Sequence, residues 1–117
     1  MEVTQQLSKT YYVYGYGKVV DYILPQQSTT GGTIALVPPL GELELNYLQI
    51  INATTVTISV VISDGSTPLY SASIGPSGTL VLQSPQNLIF LNAFVLSTGG
   101  NSVYVYGSGK VFLPPTF

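Results

Sequence analysis

The 117-residue chain has no cysteine, no histidine and no tryptophan, and its three basic residues are all lysines. Without cysteine there are no disulfides and no thiolate ligands, and without histidine the usual general base and imidazole metal ligand are missing as well. No catalytic residue, metal ligand or cofactor-binding motif is therefore assigned. Charged residues make up 7% of the sequence, against about 25% in an ordinary soluble domain. Phosphate binding needs clustered lysine and arginine, whereas Lys9, Lys18 and Lys110 are far apart in sequence, which argues against a nucleic-acid partner. No stretch reaches the roughly 18 apolar residues of a spanning helix, so no membrane span is expected. "MEVTQQLSKT" carries an acid and amides where a secretory leader would carry a basic patch and an apolar run, so no signal peptide is visible.

What fills the space is serine, threonine, glutamine, asparagine and tyrosine, in segments with the two-residue period of strands. "TVTISVVIS" from Thr55 puts Val56, Ile58, Val60 and Ile62 on one face. Asp64-Gly65 follows as a hairpin turn, and the next strand, Pro68 to Ile74, aligns Tyr70, Ala72 and Ile74. "GPSG" is a further turn, leading into "TLVLQ" with Leu80 and Leu82 inward. "NLIFLNAFVLS" reads as one strand that is apolar on both sides: Leu88, Phe90, Phe94 and Leu96 against Ile89, Leu91, Ala93 and Val95. "TIALV" and "ELELNYLQII" supply two more strands, the second changing face near Tyr47 and Leu48 as a bulge would. The "VPPL" between them is a break, because proline donates nothing to a ladder.

About eight strands with regular turn signals predict an all-β protein, a single β-sandwich of jelly-roll or Greek-key type. The domain is expected at residues 11–113, with a polar arm at 1–10 and a short tail at 114–117.

"VYGYGKVV" from Val13 and "VYGSGKVF" from Val105 are near copies. As phosphate loops they fail. The glycines are too closely spaced, Val19 and Val111 stand where a hydroxyl belongs, and no helix follows. As strands they carry a tyrosine stripe, Tyr12, Tyr14 and Tyr16 in one copy and Tyr104 and Tyr106 in the other, bent at the glycines. Tyrosine suits protein interfaces, so these five residues, with Ile89, Leu91 and Val95, form the candidate interface of a homo-oligomer. Glu42 and Glu44 share a strand face but have no apolar surroundings to raise a pKa, so they are read as solvated rather than as a glycosidase pair. Asn52-Ala53-Thr54 is a sequon in an expected surface loop, which makes Asn52 a candidate glycosylation acceptor.

The stretch from "LNYLQIINATTVTISVVISDGS" through "TGGNSVYVYG", over half the chain, resembles in style the small β-sandwich structural proteins of viruses of thermophilic archaea and of tailed phages. That resemblance implies a non-enzymatic virion component, such as a minor capsid, vertex, turret, decoration or tail protein. Such a protein is made in the host cytoplasm and is held in the virion by itself and by other virion proteins. The cysteine-free, loop-poor chain fits thermophily, while the scarcity of charge runs against the ion-pair networks common there. Two alternatives stay open: a carbohydrate-binding or adhesin-like module, with exposed tyrosines and amides facing a glycan receptor, and a surface filament subunit completed by a donated strand.

Overall fold

The computed structural model describes residues 18–114, so the polar arm, Tyr12, Tyr14, Tyr16 and the end of the tail lie outside the described residues. Eight strands follow one another: β1 Lys18–Thr29, β2 Gly32–Leu36, β3 Glu42–Asn52, β4 Ile58–Asp64, β5 Thr67–Ile74, β6 Thr79–Phe90, β7 Ala93–Ser97 and β8 Val103–Leu113. They form two antiparallel four-stranded sheets, the first ordered β1-β8-β3-β6 and the second β2-β7-β4-β5. The all-β, sandwich-like expectation is met. Apart from the β4–β5 hairpin, every connection passes from one sheet to the other.

The core lies between the sheets and follows from alternation. Ile58, Val60 and Ile62 of β4 point inward, as do Val103 and Val105 of β8. In β3 the buried apolar positions are Leu43, Leu45, Leu48 and Ile50. The step of three between Leu45 and Leu48 is a bulge, because the pairing of β3 with both neighbours slips between Leu45 and Tyr47. The glycines of β8 fit this irregularity. A Cβ on Gly109 would collide with the carbonyl oxygen of Glu44, and one on Gly107 would lie 3.1 Å from that of Tyr47. Tyr22, opposite Gly109 on β1, packs against the core, and burial pushes its phenol pKa up.

The segment read from sequence as one two-sided strand is two strands in different sheets. β6 ends at Phe90 in the first sheet, the chain turns at Leu91-Asn92, and β7 begins at Ala93 in the second. Phe90 and Phe94 stack across the corner with ring centroids 5.0 Å apart. Asp64, at the end of β4, holds the corner in place: its carboxylate accepts hydrogen bonds from the backbone N–H groups of Leu91 (3.0 Å), Asn92 (2.7 Å) and Ala93 (3.2 Å). Burial pushes the Asp64 carboxyl pKa up, but these three bonds, with one from the Asn92 side chain, outweigh it and hold the group below the usual carboxylate range.

One smaller expectation also changes. β4 begins at Ile58, so Val56 belongs to the preceding turn and is exposed rather than inward. "QQST", polar and without period, is the end of β1 and pairs with β8 through Gln27, Ser28 and Thr29.

All four flanking strands are interrupted. β1 slips at Pro25-Gln26, β2 at Ile34 and β5 at Leu69, while β6 carries Ser84 to Asn87 opposite the single residue Asn46. The molecule is 55 Å long and 20–23 Å across. The β1–β2, β3–β4, β5–β6 and β7–β8 connections gather at one end; the β2–β3, β4–β5 and β6–β7 connections gather at the other.

Candidate functional site on the outer face of the first sheet

β8 is a central strand of the first sheet, and its alternation turns Val103 and Val105 into the core and Tyr104 and Tyr106 outward. The two tyrosines remain 42% and 37% exposed. The register sets Tyr104 opposite Ile51 and Tyr106 opposite Gln49. Tyr47 joins them because the bulge at Asn46 flips the parity of β3 and turns its ring to the same side. The Tyr47 and Tyr106 rings meet edge-on, 6.0 Å between centroids at 66°, an arrangement favoured by the ring quadrupoles. The Tyr47 hydroxyl donates to Gln49 Oε1 at 2.9 Å. Val81 of β6 lies opposite Gln49 and is also exposed. The result is an aromatic and aliphatic patch edged by amides.

Farther along the same face the sheet becomes ionic. Lys110 sits between Asp21 of β1 and Glu44 of β3 and donates to Asp21 Oδ1 at 3.0 Å. Glu44 accepts from Asn87 Nδ2 at 3.0 Å, and Ser84 Oγ donates to Asn87 Oδ1 at 3.1 Å. These contacts tie the inserted residues of β6 down to β3. Both members of the ion pair are exposed, so the pair contributes ~1 kcal/mol at most.

The residues expected to act together are thus partly dispersed. Tyr104 and Tyr106 share a surface with Tyr47, which sequence reading missed. Ile89 lies on this face at its ionic end, opposite Glu44. Val95 lies on the outer side of the second sheet, paired with Thr33 and Ser63, and Leu91 sits at the corner between the sheets. Ile89, Leu91 and Val95 therefore do not form one stripe, because the turn at Leu91-Asn92 carries the chain to the opposite layer.

Asn52 is not at a surface loop either. Its side chain is 1% exposed. Nδ2 donates to the carbonyl oxygens of Val56 (2.7 Å), Ile74 (3.0 Å) and Gly75 (2.9 Å), while Oδ1 accepts from Thr54 N (2.8 Å) and Thr54 Oγ1 (2.7 Å). In the folded domain the nitrogen that a glycan would need is already committed to three carbonyls, and the residue ties the β3–β4 connection to the end of β5.

At that end of the molecule two Thr-Gly-Gly turns lie side by side, Thr30-Gly31-Gly32 and Thr98-Gly99-Gly100. The buried Thr98 hydroxyl points to the carbonyl oxygens of Thr30 (2.9 Å) and Asn101 (2.7 Å). Between the turns is a shallow cleft of about 350 Å³ that reaches Val95. Among the described residues no group of histidine, cysteine or carboxylate side chains is placed to hold a metal ion, and no helix is long and apolar enough to cross a membrane. Comparison with protein-family models, with curated proteins and with solved structures returned no match.

Proposed function

We propose that this chain is a jelly-roll structural protein of a virion, non-enzymatic, made in the host cytoplasm and working through symmetric association with itself and with other virion proteins. The strand order carries the reading. Two antiparallel four-stranded sheets ordered β1-β8-β3-β6 and β2-β7-β4-β5, linked by crossovers with a single hairpin, support an eight-stranded double-sheet jelly roll, an architecture that viral capsid domains use. The patch of exposed Tyr104 and Tyr106 with the half-buried Tyr47 supports the associative part, since tyrosine combines large apolar area with a hydroxyl.

Lectin domains also use that architecture, and the same patch, with Gln49 and Gln83 beside it, favours a glycan-binding module as the second reading. The two diverge in one experiment. Native mass spectrometry or light scattering over a dilution series should give a closed ring or larger assembly for a virion part. A monomer at every concentration refutes the assembly reading and sends the tyrosine patch to a glycan array.

A further inference from the structure

The connection from β2 to β3 contains a type II turn, Pro38-Pro39-Leu40-Gly41, closed by Gly41 N donating to Pro38 O at 2.8 Å. Leu40 occupies its third position at φ +61°, where glycine or asparagine is the rule. A branched side chain there costs about 1–2 kcal/mol. The neighbouring glycine cannot take over the strained position, because a Cβ on residue 41 would lie 2.8 Å from the Phe112 carbonyl oxygen. Leu40 is 93% exposed, and Leu36, just before the turn, is 80% exposed. Among the described residues the strain returns almost no packing.

The turn itself does not require leucine. At the other end of the molecule Gly75-Pro76-Ser77-Gly78 has the same build, with Ser77 at φ +58° and Gly78 N donating to Gly75 O at 2.9 Å. A serine serves there. An apolar side chain held in a strained backbone and touching little of the described fold is suited to contact a partner.

The opposite end offers a surface suited to receive it. All six described charged residues, Lys18, Asp21, Glu42, Glu44, Asp64 and Lys110, lie toward the Leu40 end, whereas the segment from 65 to 109 holds none. Covering the Thr-Gly-Gly cleft therefore desolvates no charge. Its floor is open: Gly32 and Gly100, at φ +119° and +82°, have no atom within 4 Å of where a Cβ would stand.

We propose that the Leu40 turn of one copy seats in the Thr-Gly-Gly cleft of a second copy, a head-to-tail contact. It rests on the self-association reading above and specifies how that association is directed. Because the two surfaces differ, the contact is heterologous, and repetition gives a ring or a filament rather than a closed pair. One turn supplies far less than the roughly 800 Å² per partner of a stable interface, so it acts as a directing contact alongside the tyrosine patch.

The test uses Leu40→Ser, which keeps a turn residue already accommodated at Ser77, and the absence of native cysteine. Leu40→Ser should leave the melting temperature unchanged while raising the dissociation constant of the assembly on the order of tenfold or more. Mixed Leu40→Cys and Ser97→Cys chains should form the heterodisulfide in preference to either homodisulfide. If the wild type assembles but Leu40→Ser assembles equally well and no heterodisulfide forms, this contact is wrong while self-association stands. If the wild type is monomeric throughout, the self-association reading fails and takes this proposal with it. Binding of the wild type to neutral phosphatidylcholine vesicles that Leu40→Ser abolishes would also overturn it, making the turn a lipid anchor.

Discussion

Replacing Asp64 by alanine removes the side chain that accepts from the three N–H groups of the β6–β7 corner, at 3.0, 2.7 and 3.2 Å. Hydrogen bonds to a charged acceptor contribute about 1.5–3 kcal/mol each. The longest is weak and the corner is only partly buried, so the expected loss is ~3–5 kcal/mol rather than the full sum, a fall in melting temperature on the order of 15 °C. Asp64→Asn should cost less, about 2 kcal/mol, because its one carbonyl oxygen still serves Asn92 and Ala93 while its amide faces the Leu91 donor. The pH dependence has a definite sign. The folded carboxyl pKa lies below its unfolded value, so its stabilisation is fully present above the unfolded value near 4 and is lost as pH falls through the folded one. Urea unfolding at pH 7 and stepwise below pH 4 should therefore show the gap between wild type and Asp64→Asn narrowing as acid is added. A constant gap across that range, or an Asp64→Ala loss under about 1 kcal/mol at pH 7, would refute the account of the corner.

Asn52→Ala breaks five hydrogen bonds around a buried side chain and should cost ~3–4 kcal/mol in chemical denaturation; Asn52→Asp should be no better, because it sets a carboxylate oxygen against three carbonyls. Gly109→Ala should be far more damaging than Gly32→Ala, since the first drives a Cβ into the Glu44 carbonyl while the second faces open space and bears only the backbone cost of a side chain at φ +119°, about 1–3 kcal/mol; equal melting temperatures would contradict the β3–β8 geometry. The double change Tyr104→Ser, Tyr106→Ser should weaken self-association in light scattering while lowering stability by only about 1–2 kcal/mol, part of it the Tyr47 ring contact. Stability and assembly falling together would mark the patch as an internal covering.

The β4–β5 hairpin was legible because Asp64-Gly65 stands between alternating segments, and the β3 bulge because Leu45 and Leu48 break the period. The split of β6 from β7 was not, for a physical reason. Both sheets face the same core, and the corner spans two residues, so Leu88, Phe90, Phe94 and Leu96 stay in phase across it. A period of two cannot register a change of sheet. The end of β1 escaped notice because an outer strand is held by its backbone ladder, with side chains free to be polar on both faces. Tyr104 and Tyr106 could be read from alternation alone, but Tyr47 needed the long-range register of β3 against β8. For Asn52 a usable signal existed: asparagine with threonine two places on also fits an Asx turn, and burial was the property the three-residue pattern did not report.

The interruptions of β1, β2, β5 and β6 bear on how this chain survives at high concentration. Most proteins keep sheet borders apart partly by charge, but the residues from 65 to 109, which include all of β5 and β6, carry none. A flat, uncharged border is a template for runaway pairing of backbones. Here Pro25, Pro68 and Pro85, together with the slips at Ile34 and Leu69, break those borders into short pieces, the longest regular one among the described residues being Lys18 to Leu24. Resistance to fibril formation is thus expected from backbone shape rather than from electrostatic repulsion. Raising the salt concentration, which screens charge, should leave it largely intact.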